Sequence, residues 1–314
     1  MTQRNPPPLA GGGRAGVSGW LVIDKPYGLS SARVVAAVKR STGAKVGHAG
    51  TLDPLATGVL PLALGEATKT VRFAASGRKH YRFRIRWGEA RDTDDCEGRV
   101  TGETAARPDA AAILAALPGF TGTIWQRPPA YSALKIAGRR AYKLARSGAP
   151  PDMAARPVEI AELYLLSAAD PDHADFTATV GSGTYIRALA RDLAEVLGTL
   201  GHIAELRRLA VGRFTENRAI SLDCAVALGH SLAASEHLLP IETALDDIPA
   251  LALTAEDAER LRHGQVVRPR DCDGRACLAE IADGTIVGAR LDRLLVAVAR
   301  IEDGGLRPLR IINR

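Results

Sequence analysis

Residues 46–61 read VGHAGTLDPLATGVLP, and this stretch holds three glycines and two prolines within sixteen residues. Such a composition predicts a loop with a strongly constrained backbone. Taken alone, the pair Asp53-Pro54 is most typical of a helix start, with the aspartate as N-cap and the proline in the first helical position. The alternative is a functional carboxylate held in a shaped loop, and the flanking sequence must decide between the two.

Regular structure is predicted immediately before this loop. Residues 20–23 (WLVI) indicate a short buried strand, and residues 24–28 (DKPYG) indicate a turn. Ser30 or Ser31 can cap a following helix, which should end at Gly43. The apolar side chains that recur at helical spacing are Val34, Val35 and Val38.

Residues 80–87 (HYRFRIRW) alternate between apolar and basic side chains and predict a β-strand with one buried face. The apolar face comprises Tyr81, Phe83, Ile85 and Trp87. The outer face comprises His80, Arg82, Arg84 and Arg86. Three arginines spaced by two repel one another, so an external anion is one expected partner, and a solvated strand face is the other reading. Tyr81 can fill a pocket with its ring and still present its hydroxyl.

A basic segment lies at about residues 120–150. Residues 123–147 contain no Asp or Glu, and their cations are Arg127, Lys135, Arg139, Arg140, Lys143 and Arg146. Two adjacent prolines exclude a helix near residue 128, and a short helix is expected after Gly138. With Tyr131 and Tyr142 interleaved, the segment predicts an arm that grips RNA phosphates, and a merely solvated basic face is the alternative.

A strand, a turn and a helix follow one another between residues 176 and 198. Residues 176–180 alternate as a strand, residues 181–184 (GSGT) form the turn, and an apolar stripe predicts a helix that ends at Gly198. Arg187 falls in the first turn of that helix, where a cation is electrostatically unfavourable. The placement is acceptable if Arg187 has a carboxylate partner. The other reading is an exposed arginine that reaches solvent.

Composition limits the class of protein. The chain has 314 residues, of which 46% are hydrophobic and 24% are charged, so one large and one small globular domain fit it. Its net charge of +6 favours an anionic partner. The four cysteines form no disulfide or zinc pattern, and no apolar run is long enough for a membrane span. Residues 1–18 resemble a disordered tail rather than a signal peptide, and a cytoplasmic location is expected.

Several motifs together resemble one family. Residues 47–60 are similar to the signature of the TruB family, the tRNA pseudouridine-55 synthases. The agreement extends, in family order and at similar spacing over roughly residues 19–215, to residues 24–26 (DKP), 79–81 (KHY), 128–135 (PPAYSALK), 183–187 (GTYIR) and 206–209 (LRRL). One departure is Ala49, at a position where many members carry threonine.

The resemblance implies roles for individual residues. Asp53 matches the catalytic aspartate, while Tyr81, Arg187 and Leu206 match residues that shape the pocket, and Arg187 and Tyr81 are also expected to take part in catalysis. Tyr185 matches a tyrosine that contacts substrate, and His48 matches a histidine that supports the displaced tRNA structure. Lys25 is also expected to bind substrate. Residues expected to contact the RNA backbone are Arg127, Lys135, Arg139, Arg140 and Lys143.

The resemblance also implies a fold. We expect an α+β pseudouridine synthase fold, with a central mixed, largely antiparallel sheet flanked by helices over residues 19–250. A helical stretch at residues 216–250 should end this domain. Residues 251–314 indicate short strands, at 264–267, 276–279, 285–288 and 294–298, and resemble a small PUA-like β-barrel that binds RNA.

The expected reaction is isomerisation of uridine-55 in the T arm of tRNA, after that base is flipped out of its stack. The reaction is neither a redox step nor a transfer to a second molecule, so we expect no cofactor and no metal, and we expect a monomer. The aspartate could attack the sugar or the base, or deprotonate the ribose. One alternative function is a non-catalytic protein that binds or folds tRNA. Another is a uridine methyltransferase, but Gly11-Gly12-Gly13 neither follows a strand nor precedes a helix.

Overall fold

The structure is a computed structural model that describes residues 17–132, 134–136, 139–140, 144, 153–268 and 281–313. The strands are β1 (Gly19–Lys25), β2 (Val46–His48), β3 (Thr57–Leu64), β4 (Lys79–Trp87), β5 (Glu89–Arg91), β6 (Val100–Glu103), β7 (Gly122–Gln126), β8 (Lys135–Ile136), β9 (Arg139–Arg140), β10 (Arg156–Ser167), β11 (His173–Val180), β12 (Gly201–Val211), β13 (Phe214–Thr215), β14 (Ile220–Ser221), β15 (Ala250–Ala252), β16 (Ile286–Leu291), β17 (Leu294–Glu302) and β18 (Gly305–Ile311).

Among the described residues, fewer lie in helices than in strands. The α-helices are α1 (Ser31–Thr42), α2 (Val71–Ser76), α3 (Ala110–Ala116), α4 (Ile186–Val196), α5 (Leu222–Leu228) and α6 (Ala255–Arg262). Short 3₁₀ segments are Gly65–Thr70, Leu117–Phe120, Glu216–Arg218, Gly229–Ala234 and Ile241–Leu245. Within the described ranges, no helix is both long and apolar enough to cross a membrane.

One large sheet organises residues 19–221. Its strands run in the order β14-β1-β3-β12-β4-β11-β10-β7, with β2 paired to β3 and β13 paired to β12. Only the β1–β14 and β3–β12 pairs are parallel. The predicted α+β fold with a mixed, largely antiparallel sheet is therefore confirmed.

Strand β4 lies near the middle of this sheet and has the predicted two faces. Its four apolar side chains are buried, and the ring of Phe83 stacks on that of Phe176 in β11 at 5.4 Å between centroids. On the other face, Arg84 binds both carboxylate oxygens of Asp175, at 2.9 and 3.0 Å. Glu205 also accepts from Arg84. The expectation of an external anion is thus wrong for Arg84, because neighbouring strands supply the negative charge.

Two of the helices predicted for the large domain, α1 and α4, are present. Ser30 caps α1 by accepting from the N–H of Arg33, and Gly43 ends the helix with a left-handed φ of 67°. Helix α4 buries its predicted apolar stripe, including Leu189 and Leu193, in the main core. In α1 the caps set the length of the helix, and in α4 the apolar stripe sets its buried face.

Two local predictions are wrong. Residues 46–61 are not one loop, since β2 and β3 occupy both ends and only residues 49–56 are irregular; no helix begins at Asp53. The short helix after Gly138 is also wrong at its start, because β9 pairs with β8. Lys143 lies outside the described residues, as do the side chains of Lys135, Arg139 and Arg140 and residues 1–16 of the predicted tail.

The C-terminal part contains a second sheet of four strands, in the order β15-β16-β17-β18. The predicted strands at 285–288 and 294–298 lie in β16 and β17, whereas residues 264–267 contribute only one bridge, from Val267 to Leu306. Helix α6 was not predicted, and residues 276–279 lie outside the described ranges. Leu295, Val298 and Ile312 share an apolar cluster with Trp20 of the large domain, so the two parts pack directly on each other.

Candidate active site

A cavity of about 280 Å³ opens where the irregular loop 49–56 meets the β11–α4 turn. The size is near the lower end of the range of small-ligand pockets. Its lining includes Asp53 from the loop, Lys79 and Tyr81 from β4, Tyr185 and Arg187 from the start of α4, and Leu206 and Arg208 from β12. Five of the predicted site residues, Asp53, Tyr81, Tyr185, Arg187 and Leu206, therefore lie around one cavity.

Asp53 and Arg187 form an ion pair inside this cavity. Nη2 of Arg187 lies 3.0 Å from Oδ2 of Asp53, and the Arg187 side chain is only 4% exposed, whereas that of Asp53 is 38% exposed. The reading of Arg187 as an arginine in solvent is thus wrong. Both residues line the cavity, and the carboxylate is the more accessible member of the pair.

Both terminal nitrogens of Arg187 also donate to backbone carbonyls, whereas its Nε is buried without a hydrogen-bond partner among the described residues. Nη1 donates to the carbonyl of Thr93 at 2.7 Å, Nη2 donates to the carbonyl of Tyr131 at 2.9 Å, and Asp95 lies 3.5 Å from Nη1. Asp95 is buried, and burial raises the pKa of its carboxyl group. The guanidinium is therefore fixed from several sides and presents one edge to Asp53.

Lys25 supports the loop that carries Asp53 and does not line the cavity. It is fully buried and donates to the carbonyls of Pro26, Leu29 and Pro54. Burial lowers the pKa of its ammonium group to about 8, although the nearby charge of Asp53 acts in the opposite direction. Its position supports a structural role for Lys25 rather than the predicted direct contact with substrate.

Arg208 holds the same loop from the other side. Its Nε donates to the carbonyl of Val59 at 2.8 Å, and Nη2 donates to the carbonyl of Gly50 at 3.0 Å. Gly50 and Gly58 both have φ near +95°, at 97° and 95°, and both lie against Arg208. Two of the three glycines of this stretch, Gly50 and Gly58, thus combine a positive φ with a close approach to Arg208 of β12.

Ser31 fixes the loop to helix α1. Its buried hydroxyl accepts from the N–H of Leu52 at 2.8 Å and donates to the carbonyl of Leu52 at 2.9 Å. Both polar groups of the residue next to Asp53 are satisfied by one side chain. Ser30 caps the helix, and Ser31 orients the site.

Tyr81, Leu206 and Tyr185 form an apolar wall of the cavity. Tyr81 and Leu206 are 9% and 8% exposed, so only a small part of each faces the open space. Tyr185 occupies the N-cap position of α4, and its N–H and carbonyl are both bonded by the side-chain amide of Gln126. This wall matches a flat, mostly apolar ligand that meets a carboxylate at one edge.

Two further predicted residues lie outside the cavity lining. His48 is part of β2, and its Nδ1 is buried without a hydrogen-bond partner among the described residues. Burial and the charge of Arg208 lower the pKa of the His48 imidazole. Arg127 stands at the base of the arm, where its carbonyl accepts from Arg191 at 2.7 Å. Among the described residues, no three His, Cys, Asp or Glu side chains are grouped as metal ligands.

Arg208, Ser31, Asp95 and Gln126 were not identified as site residues from the sequence. Arg208 lies two positions after Leu206, so the period of a strand places both on one face, and this signal was available. The others reach the site through contacts between distant segments, which leave no local pattern.

Comparison with known proteins agrees with this geometry. Residues 37–186 match the family model described as TruB family pseudouridylate synthase (N terminal domain), and residues 187–246 match the tRNA pseudouridylate synthase B C-terminal domain. The chain is 54% identical to tRNA pseudouridine synthase B of Bradyrhizobium diazoefficiens, over 96% of this chain and 87% of that protein. It is 52% identical to the protein of the same name from Rhodospirillum rubrum, over 95% and 97%.

A solved structure shows the same fold. The Cbf5 chain of a Cbf5-Nop10-Gar1 complex superposes with a TM-score of 0.71 at 25% identity, covering 95% of this chain and 85% of that chain. The fold and the cavity thus define an RNA pseudouridylate synthase, which is an isomerase. The chain belongs to the TruB family.

Proposed function

We propose that this enzyme converts uridine-55 in the T arm of tRNA to pseudouridine, with Asp53 as its catalytic carboxylate. The observation that carries the proposal is the 3.0 Å pair between Asp53 and Arg187, set in a cavity whose other wall is formed by Tyr81 and Leu206. The close relatives are named tRNA pseudouridine synthase B, which supports tRNA as the substrate.

The reaction rearranges bonds within one nucleotide. The bond between C1′ of the ribose and N1 of uracil breaks, the base turns within the cavity, and a new bond forms between C1′ and C5. The proton on C5 is lost, and N1 gains one, so the product is an isomer. Asp53 could attack the sugar or the base, or remove a proton from the ribose; each route needs an ionised carboxylate.

Arg187 gives the Asp53 carboxylate a fixed cationic partner at hydrogen-bond distance. Since Arg187 is itself bonded to the carbonyls of Thr93 and Tyr131, it is held in position before RNA arrives. The site thus requires little rearrangement of charge when the nucleotide enters.

The cavity admits a base only after that base leaves its helical stack. Flipping costs a few kcal/mol, and contacts to phosphates can offset part of it. The arm at about residues 120–150, with its cations Arg127, Lys135, Arg139, Arg140 and Lys143, is the proposed source of those contacts. Tyr81 would stack on the flipped uracil, and Tyr185 would contact the same nucleotide.

Tritium release from a T-arm stem-loop labelled at C5 of uridine tests the proposal. Wild-type enzyme should release label from uridine-55 and not from a stem-loop with cytidine at that position. Asp53→Asn should bind the RNA normally and release none. Asp109→Asn is the matched control, because this exposed N-cap of α3 retains its capping function with asparagine. Full activity of Asp53→Asn would remove the carboxylate from the mechanism, and an inactive wild type would favour the non-catalytic RNA-binding alternative.

A further inference from the structure

Arg191, one helical turn after Arg187 on α4, is absent from the cavity lining but contacts two segments that are also bonded to Arg187. Its Nη1 binds Oδ2 of Asp94 at 2.8 Å, and its Nη2 donates to the carbonyl of Arg127 at 2.7 Å. Its Nε also donates to Asp192 at 2.9 Å. Every nitrogen of this guanidinium is therefore engaged.

Arg187 repeats this arrangement one turn earlier. It contacts the same two segments, through the carbonyl of Thr93 and the carbonyl of Tyr131. Residues four apart lie on one face of a helix, so α4 presents two guanidinium groups between the 93–95 segment and the 127–131 segment. The 127–131 segment is the base of the arm, and each of its two ends is bonded to one arginine.

The contact at Tyr131 links the arm to the reacting carboxylate. Nη2 of Arg187 donates to the Tyr131 carbonyl at 2.9 Å and lies 3.0 Å from Oδ2 of Asp53. One nitrogen therefore serves both partners, and a shift of the arm base would move the group that orients Asp53. Arg191 opposes such a shift, because it fixes the Arg127 end of the same segment to α4.

We propose that Arg191 is a positioning residue, which ties the base of the arm to α4 so that RNA held by the arm is in register with the Asp53–Arg187 pair. The inference rests on the proposed role of Asp53. It assigns Arg191 no contact with RNA. Its effect is on the rate of the chemical step and not on the affinity for the substrate.

Arg191→Met and Arg191→Lys test this role. Methionine removes every donor, whereas lysine keeps the charge beside Asp94 and Asp192 but cannot bridge Asp94 and the Arg127 carbonyl together. Arg107→Met is the matched control. Arg107 also pairs with a carboxylate, that of Asp172, and donates to backbone carbonyls, but it lies near the opposite end of β4 from Tyr81.

The measurements are the single-turnover rate at saturating T-arm stem-loop, the Kd for that RNA, and the melting temperature. We expect both Arg191 variants to react about 10- to 100-fold more slowly than Arg107→Met, with Kd within about twofold, since small misplacements carry costs of that order. A normal rate in Arg191→Lys would overturn the inference, and so would a raised Kd with a normal rate.

The inference and the proposed function fail in different ways. If Asp53→Asn is active, the proposed function is wrong whatever Arg191 does. If Asp53→Asn is inactive while both Arg191 variants react at the rate of the control, only the positioning role is wrong. If Arg191→Met does not fold, the lysine variant decides the question alone.

Discussion

A Cβ atom on Gly58 would lie 2.2 Å from the carbonyl oxygen of Arg208, so β3 and β12 meet where only a hydrogen atom fits. The same arginine bonds the carbonyls of Val59 and Gly50, on both sides of Asp53. The position of the carboxylate thus depends on a backbone contact between two strands that pair over only two residues, at Arg207 and Arg208 of β12.

Gly58→Ala should therefore destabilise the protein far more than the unfavourable backbone angle alone predicts, because the added Cβ would also clash with the backbone of Arg208. Gly122 has nearly the same backbone angle, φ 93° against 95°, but no atom within 4 Å of an added Cβ. Gly122→Ala should cost about 1–2 kcal/mol, the cost of a left-handed conformation in a non-glycine residue. Denaturant unfolding of both variants measures the difference, and equal losses would show that the contact with Arg208 relaxes freely.

Ser30→Ala and Ser31→Ala should separate helix capping from loop orientation. Ser30→Ala removes an N-cap and should cost about 1 kcal/mol with little effect on the reaction rate. Ser31→Ala leaves the buried N–H and carbonyl of Leu52 without their partner, which should cost about 2–4 kcal/mol. Because Leu52 precedes Asp53, Ser31→Ala should also slow single turnover at a temperature where both variants are folded. Identical behaviour of the two variants would contradict this division of roles.

Arg187→Lys should abolish most of the activity and should also lower the stability of the folded protein. Lysine keeps one positive charge but cannot contact Asp53, Asp95 and the carbonyls of Thr93 and Tyr131 together. Asp95 would then remain buried with an incomplete partner, and losses of about 3–5 kcal/mol are typical of a broken buried pair. The checks are thermal unfolding and single-turnover kinetics, with Arg84→Lys as the control, since Arg84 is a half-exposed arginine that also pairs with two carboxylates.

RNA binding should weaken above pH 8 because of Lys79. This lysine lines the cavity, and burial, followed by the charge of Arg208, lowers its pKa to about 8. Its side chain is cationic below that pH and neutral above it, so its attraction for an RNA phosphate is lost as pH rises. The Kd for the stem-loop, measured between pH 6.5 and 9.5, should increase through pH 8.

Lys79→Arg supplies the control for that titration. An arginine remains charged over the whole range, so the rise in Kd should become shallower in this variant. Lys25 also has a pKa lowered to about 8, but it is fully buried behind the loop and should influence the reaction rate more than the affinity. An unchanged pH profile for Lys79→Arg would exclude Lys79 as the source.

The sequence predicted the elements that carry their own pattern. The alternation in β4, the cap and stop of α1, and the stripe of α4 were all visible because each depends on neighbours within a few residues. Strand β3 was not predicted, because it contains Gly58 and Pro61, is buried on both faces and shows no alternation of apolar and polar residues. Helix α6 was not predicted either, because its residues lie in a region where short strands were expected.

The residues of the site also fall into two groups, those that the sequence indicated and those that it did not. Resemblance to a family indicated Asp53, Tyr81, Arg187, Tyr185 and Leu206, and the fold brings these five around one cavity. Asp95 contacts Arg187, and Ser31 bonds Leu52, only because the β5–β6 connection and α1 pack against distant segments. Such contacts are decided by pairing between strands, and that pairing is set by the whole sheet rather than by local spacing.

The apolar cluster shared by Trp20, Leu295, Val298 and Ile312 has a practical consequence. Removing the C-terminal strands would uncover the indole of Trp20, which is fully shielded from water in the intact chain. A shortened enzyme would thus expose an apolar surface directly beside β1, the strand that carries Lys25, and such a surface favours aggregation. Expression of the larger domain by itself therefore requires polar substitutions at the exposed apolar positions.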